Sequence, residues 1–123
     1  MDMKSAVTTV YTNYFGFTGR AARSEFWYFI LFVIVIGVVL NIIDSAIFGM
    51  GMGGVGILGG IFSLASLIPE IAVAIRRLHD SGRTGWWLLL VLIPLIGWLV
   101  LIYFYVQPSQ PGANQYGPNP YGE

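Results

Sequence analysis

The chain has no cysteine, which excludes a disulfide framework, a thiolate metal site and a cysteine nucleophile. Its single histidine, His79, has no second His or Cys with which to build a metal constellation, so no metal and no cofactor is expected. Charge is scarce too: 10% of the 123 residues are charged, against roughly 25% in an ordinary soluble domain. Neither sign prevails, with six Lys plus Arg against six Asp plus Glu, and no nucleic acid partner is suggested. The run Gly49-Met50-Gly51-Met52-Gly53-Gly54 lacks the Lys and Ser/Thr that follow a phosphate-binding loop. Met1 to Gly19 holds no apolar h-region, so a cleaved leader is not expected.

What the chain does have is apolar length. Hydrophobic residues make up 56% of it, which points to lipid as the solvent, and the reading is an all-α polytopic membrane protein with three transmembrane helices. Residues 1–106 form a single membrane domain, with spans over about 26–48, 55–75 and 86–106. Each exceeds or approaches the ~20 residues that a helix needs to cross a ~30 Å hydrocarbon core. The glycine run between the first two spans reads as a turn. Ahead of them, Val7, Val10, Tyr11, Tyr14 and Phe15 share one face of a short interfacial helix over about 5–16, with Thr8, Thr9, Thr12 and Asn13 on the other. Residues 107–123 are a Pro/Gly/Asn-rich tail with no apolar periodicity, expected to be extended or disordered.

Orientation follows the cations. Lys4, Arg20 and Arg23 precede the first span, and Arg76, Arg77 and Arg83 lie between the second and third. The positive-inside rule puts this side in the cytoplasm, and three spans then carry the C-terminus to the periplasmic or extracellular side. The second span places Gly56, Gly60, Ser63, Ser66, Glu70, Ala74 and Arg77 along one face. Gly56 and Gly60 form a small-xxx-small pair suited to close helix packing, with a homo-oligomer or another membrane protein as possible partner. Glu70 lies about 9 Å inside the helix end, where a carboxylate is costly unless paired or hydrated. Arg23 is the expected partner, and a hydrated transport path is the alternative. Asp44, near the outer end of the first span, is accounted for by a solvated helix terminus.

The stretch Arg76-Arg77-Leu78-His79-Asp80-Ser81-Gly82-Arg83-Thr84-Gly85-Trp86-Trp87 carries the densest signal. Gly82 suits a left-handed helix stop, Thr84 an N-cap, and Trp86 with Trp87 an interfacial anchor. Arg20, Arg23, Arg76, Arg77 and Arg83 can grip lipid phosphates or the carboxylates of Glu25 and Asp80. His79 and Asp80 point about 100° apart on a helix, so adjacency does not make them a catalytic dyad. No catalytic residue is assigned, and the leading reading is non-enzymatic.

This stretch, together with Gly19-Arg20-Ala21-Ala22-Arg23-Ser24-Glu25-Phe26-Trp27 and the tail pattern Gly112, Asn114, Tyr116-Gly117-Pro118-Asn119-Pro120, resembles the domain of unknown function 805 family. The resemblance covers nearly the whole chain and implies a small multi-pass protein of the bacterial inner membrane with no assigned activity. The functional expectation is a membrane protein that binds anionic lipid headgroups or a membrane partner through a cytoplasmic Arg/Trp surface. The alternative is a small transporter or channel subunit using Glu70.

Overall fold

A computed structural model describes residues 2–48 and 56–120. The elements run α1 (Met3–Thr12), α2 (Arg23–Phe48), α3 (Ile57–Asp80), a 3₁₀ helix (Gly85–Leu92) and α4 (Ile96–Val106), with no named strand among the described residues. The glycine turn expected at Gly49–Gly54 lies outside the described residues.

Helices α2 and α3, of 26 and 24 residues, are about 39 and 36 Å long at 1.5 Å per residue, long enough to cross hydrocarbon. Among the described residues they are the two helices that length and apolarity qualify as spans. Their outer faces expose Ile34, Ile42, Ile61 and Leu64, an arrangement suited to lipid and not to water. They run antiparallel, tied at one end by Glu25 and Arg76 and at the other by Asp44, whose carboxylate accepts the Leu58 and Gly59 amides at 3.0 and 2.9 Å. Asp44 is thus no solvated terminus. It is 3% exposed and caps α3 in place of Gly56, the N-cap residue, which has no side chain to do so. A Cβ on Gly56 would fall 1.9 Å from Asp44 Oδ2. Gly56 therefore serves this contact within the chain, which is the packing role its small size permits.

Helix α1 is capped by Asp2, whose Oδ1 accepts from the Ser5 amide at 2.8 Å, holding that carboxyl below its ordinary 3.8. It buries Ala6 and Val10 and packs against α2 and α3, ending earlier than the predicted residue 16. Just beyond it, Tyr14 Oη donates to the Ala65 carbonyl at 2.7 Å. That carbonyl is orphaned because Pro69, four residues on, has no N–H to offer. Tyr11 bonds Ser66 Oγ at 2.8 Å beside it. The segment expected to lie at the interface thus repairs a proline defect in a spanning helix.

The third predicted span is not a continuous helix. The 3₁₀ helix and α4, of 8 and 11 residues, are each about 16 Å long, half the membrane thickness. Between them Leu95 takes φ 65° and ψ −71°, a strained γ-turn closed by Ile96 N–H donating to Pro94 O at 2.8 Å. The two arms lie antiparallel. Trp98 Nε1 donates to Val91 O at 2.8 Å near the bend, and Trp87 meets Phe104 edge-on at 5.4 Å near the mouth. Gly97 lets the backbones touch, since a Cβ there would sit 1.8 Å from Leu90 O. Leu92 is 74% exposed, and Leu95, Ile96 and Leu99 are exposed beside it, so the tip of this hairpin is apolar.

This reversal corrects the expected separation of the two chain ends. Gln110, Gly112 and Gly117 of the tail accept hydrogen bonds from Arg20, so the tail returns to the end of the bundle from which α2 starts. Nor is the tail loose: it is irregular in shape but held by hydrogen bonds at intervals from Gln107 to Asn119.

Candidate functional site

The arginine-bearing end is where the chain concentrates its polar side chains, and a helix stop positions them. At the end of α3, Gly82 takes φ 81°, Gly82 N–H donates to His79 O and Arg83 N–H to Leu78 O at 3.0 and 2.9 Å. These are the two bonds of a Schellman motif, as the glycine position predicts. Thr84 stands at the N-cap of the 3₁₀ helix, although its side chain makes no cap bond.

Asp80, buried within this stop, receives Arg20 Nε at 2.9 Å on one oxygen and Arg77 Nη1 at 2.5 Å on the other. Ser109 Oγ donates to that second oxygen as well. The remaining Arg20 donors go to Asp80 O, Gln110 O, Gly112 O and Gly117 O at 3.1, 2.7, 2.8 and 3.2 Å. All five N–H groups of its guanidinium are thereby used. Arg77, fully buried, donates from Nε to Tyr105 O at 3.0 Å and from Nη2 to Gln107 O. The cost of burying these charges is offset by satisfying nearly every donor and acceptor.

Around this knot the tail adds further bonds. Asn114 Nδ2 donates to His79 O at 3.0 Å, and the Tyr116 ring stacks on the His79 ring at 3.9 Å, parallel within 1°. His79 Nδ1 lies 3.0 Å from Gly19 O. His79 is therefore held by a backbone carbonyl and an aromatic face, and it forms no ion pair with the neighbouring Asp80. Arg76 Nη1 reaches Glu25 Oε2 at 2.6 Å, while its Nε and Nη2 are buried without a partner. Of the two ligand types expected for the arginines, carboxylates, joined by backbone carbonyls, hold Arg20, Arg76 and Arg77.

Two arginines stand outside the knot. Arg23 is exposed and donates from Nη1 to Val106 O at 3.2 Å, so it does not pair with Glu70 as the sequence suggested. Arg83 lies over the Phe104 ring at 4.0 Å. Trp86, 78% exposed, and Trp87 flank it, and Trp27 and Tyr28 are exposed beside Arg23. Glu70, half-buried on α3, forms no ion pair among the described residues. No group of three or more His, Cys, Asp or Glu that could hold a metal occurs among the described residues.

The motifs that build this end, from Gly19–Trp27 through Arg76–Trp87 to Pro118 of the tail, all fall within the span of a single family match. A family model described as "Protein of unknown function (DUF805)" matches residues 14–118. The chain belongs to the DUF805 family. It is 48% identical over 111 residues to inner membrane protein YhaH of Escherichia coli strain K12, covering 90% of this chain and 92% of that protein. Inner membrane protein YhaI of the same strain is 43% identical over 112 residues, covering 91% and 92%. The uncharacterized protein YiiR is 32% identical over 89 residues, 71% of this chain and 54% of that one. No solved structure matches significantly. The family match begins at Tyr14, the proline-repair residue, and ends within the bonded tail, so it takes in both partners of the Arg20–tail bonds in this DUF805 chain.

Sequence reasoning names every arginine of the site and the carboxylates of Glu25 and Asp80, but not the tail carbonyls that complete it. Gln110, Gly112, Asn114 and Tyr116 fall in the tail that the sequence predicts to be extended or disordered, because they have no apolar face to bury. Their signal was polar instead: five guanidinium groups in a chain of low dielectric surroundings require more acceptors than Glu25 and Asp80 supply.

Proposed function

We propose that this chain is a non-enzymatic protein of the bacterial inner membrane, with its arginine end in the cytoplasm, that binds anionic lipid headgroups through the rim of that end. The names of YhaH and YhaI and the lipid-suited faces of α2 and α3 support the compartment, and the positive-inside rule supports the orientation. The 3₁₀ helix and α4 then form a re-entrant hairpin, entering from the cytoplasmic side and returning to it. A polar backbone at membrane depth is tolerable there because Trp98 and the γ-turn satisfy the carbonyls at the bend.

The observation that carries the lipid reading is the division among the arginines. Arg20, Arg76 and Arg77 are committed internally, whereas Arg23 and Arg83 stand free of carboxylates beside exposed Trp27, Trp86 and Trp87. Cations interleaved with tryptophan are the composition that a headgroup layer rewards. Native mass spectrometry after mild detergent extraction tests it. The protein should retain phosphatidylglycerol or cardiolipin over phosphatidylethanolamine, and an Arg23→Gln, Arg83→Gln double variant should lose them. Equal retention by the variant rejects the reading. The transport alternative has in its favour only that Glu70 has no ion-pair partner among the described residues, and a proton flux in liposomes that disappears in Glu70→Gln would turn the assignment to it.

A further inference from the structure

At the start of α2 the wall of the bundle opens into a groove of about 350 Å³ lined by Arg23, Ser24, Trp27, Tyr28 and Val106. Its walls come from the first turns of a spanning helix and from the last residue of α4, so it lies at the edge between hydrocarbon and headgroups. Trp27, Tyr28 and Val106 are partly exposed on the lipid-suited side and give the groove an apolar floor. Two of its polar side chains have hydrogen-bonding capacity to spare. Arg23 uses one N–H, to Val106 O, and its remaining donors meet no acceptor among the described residues. Ser24 Oγ is buried and has no hydrogen-bond partner among the described residues. A hydroxyl left without a partner favours any ligand oxygen that it can reach.

We propose that this groove is a binding site for one anionic glycerophospholipid, its phosphate held by Arg23 and Ser24 and its glycerol and upper acyl chain lying on Trp27, Tyr28 and Val106. The proposal rests on the headgroup-binding reading above and gives it a place. An anion is the fitting occupant for three reasons. Arg23 and Ser24 both sit in the first turn of α2, the positive end of the helix dipole. The guanidinium fork matches phosphate oxygens and delivers charge-assisted bonds. The nearest carboxylate in sequence, Glu25, is turned away to Arg76 at 2.6 Å and does not repel a second anion. A lipid is favoured over free phosphate because the aromatic and aliphatic walls face hydrocarbon and offer nothing to a small hydrated ion.

The full chain in detergent is titrated with short-chain phosphatidylglycerol and, separately, phosphatidylcholine, and binding is read by native mass spectrometry. Phosphatidylglycerol should bind preferentially. Arg23→Gln should weaken it about tenfold and Ser24→Val by a smaller factor, while Lys4→Gln, which removes the same charge from an exposed position on α1, leaves it unchanged. Glycerol phosphate without acyl chains should not compete. If wild type prefers phosphatidylglycerol but Arg23→Gln and Ser24→Val bind it equally well, the groove is not the site, although the broader lipid reading stands. If wild type shows no preference, both fall. Competition by glycerol phosphate at equal concentration would overturn the lipid as occupant.

Discussion

A reporter fused after Glu123 asks the most of this structure, because threading through three full spans and threading through two spans plus a hairpin put it in opposite compartments. The hairpin arms measure about 16 Å each, from 8 residues of 3₁₀ helix and 11 of α-helix, and neither crosses a ~30 Å core. Moving the tail to the far side would also strip Arg20 of its bonds to Gln110, Gly112 and Gly117, and Arg77 of those to Tyr105 and Gln107. Hydrogen bonds to a charged group contribute about 1.5–3 kcal/mol each. Two of them at the low end bias the equilibrium about a hundredfold. A fluorescent protein that matures only in the cytosol should therefore be bright at this position, and alkaline phosphatase, active only in the periplasm, should give about 1% of the signal of a periplasmic control. Strong phosphatase activity with a dark fluorescent fusion would refute the hairpin and restore three complete spans.

Two further predictions concern stability in detergent. Gly56→Ala should lower the melting temperature more than Asp44→Ala, because the first drives a methyl to 1.9 Å from the capping carboxylate, whereas the second forfeits a helix cap worth about 1 kcal/mol; a Gly56→Ala chain that melts like wild type would show that the α2–α3 contact is misplaced. Arg77→Leu should cost about 3–5 kcal/mol, since Asp80 stays buried with one partner fewer, and it should expose residues 107–120 to protease; adding Asp80→Asn should recover part of the loss, and unchanged tail protection in Arg77→Leu would mean that the tail is held by something else.

The first two spans, the cationic end and the helix stop at Gly82 were legible because each depends on one local property. A run of apolar residues, the side on which arginines fall, and a glycine where a left-handed residue is needed are all readable without knowing what touches what. Asp44 was misjudged for the opposite reason. Its place near a helix end suggested solvent, while its partners, the amides of Leu58 and Gly59, come from another helix and leave no mark in its own sequence neighbourhood.

The hairpin is the instructive failure, since residues 86–106 satisfy a length-and-hydropathy test that weighs composition and ignores order. The decisive residues are Pro94 and Gly97. Pro94 withholds an amide in the middle of the run, and Gly97 removes the side chain that would keep the two arms apart. The tail supplies the other half of the argument. A polar segment on the far side of the membrane would have had no arginine to bond, whereas the cationic end, already short of carboxylates, lacked acceptors for five guanidinium groups. Arg20 and Arg77 take their remaining acceptors from carbonyls of residues 105–117, and a bend in the third apolar run is what allows the chain to come back to them.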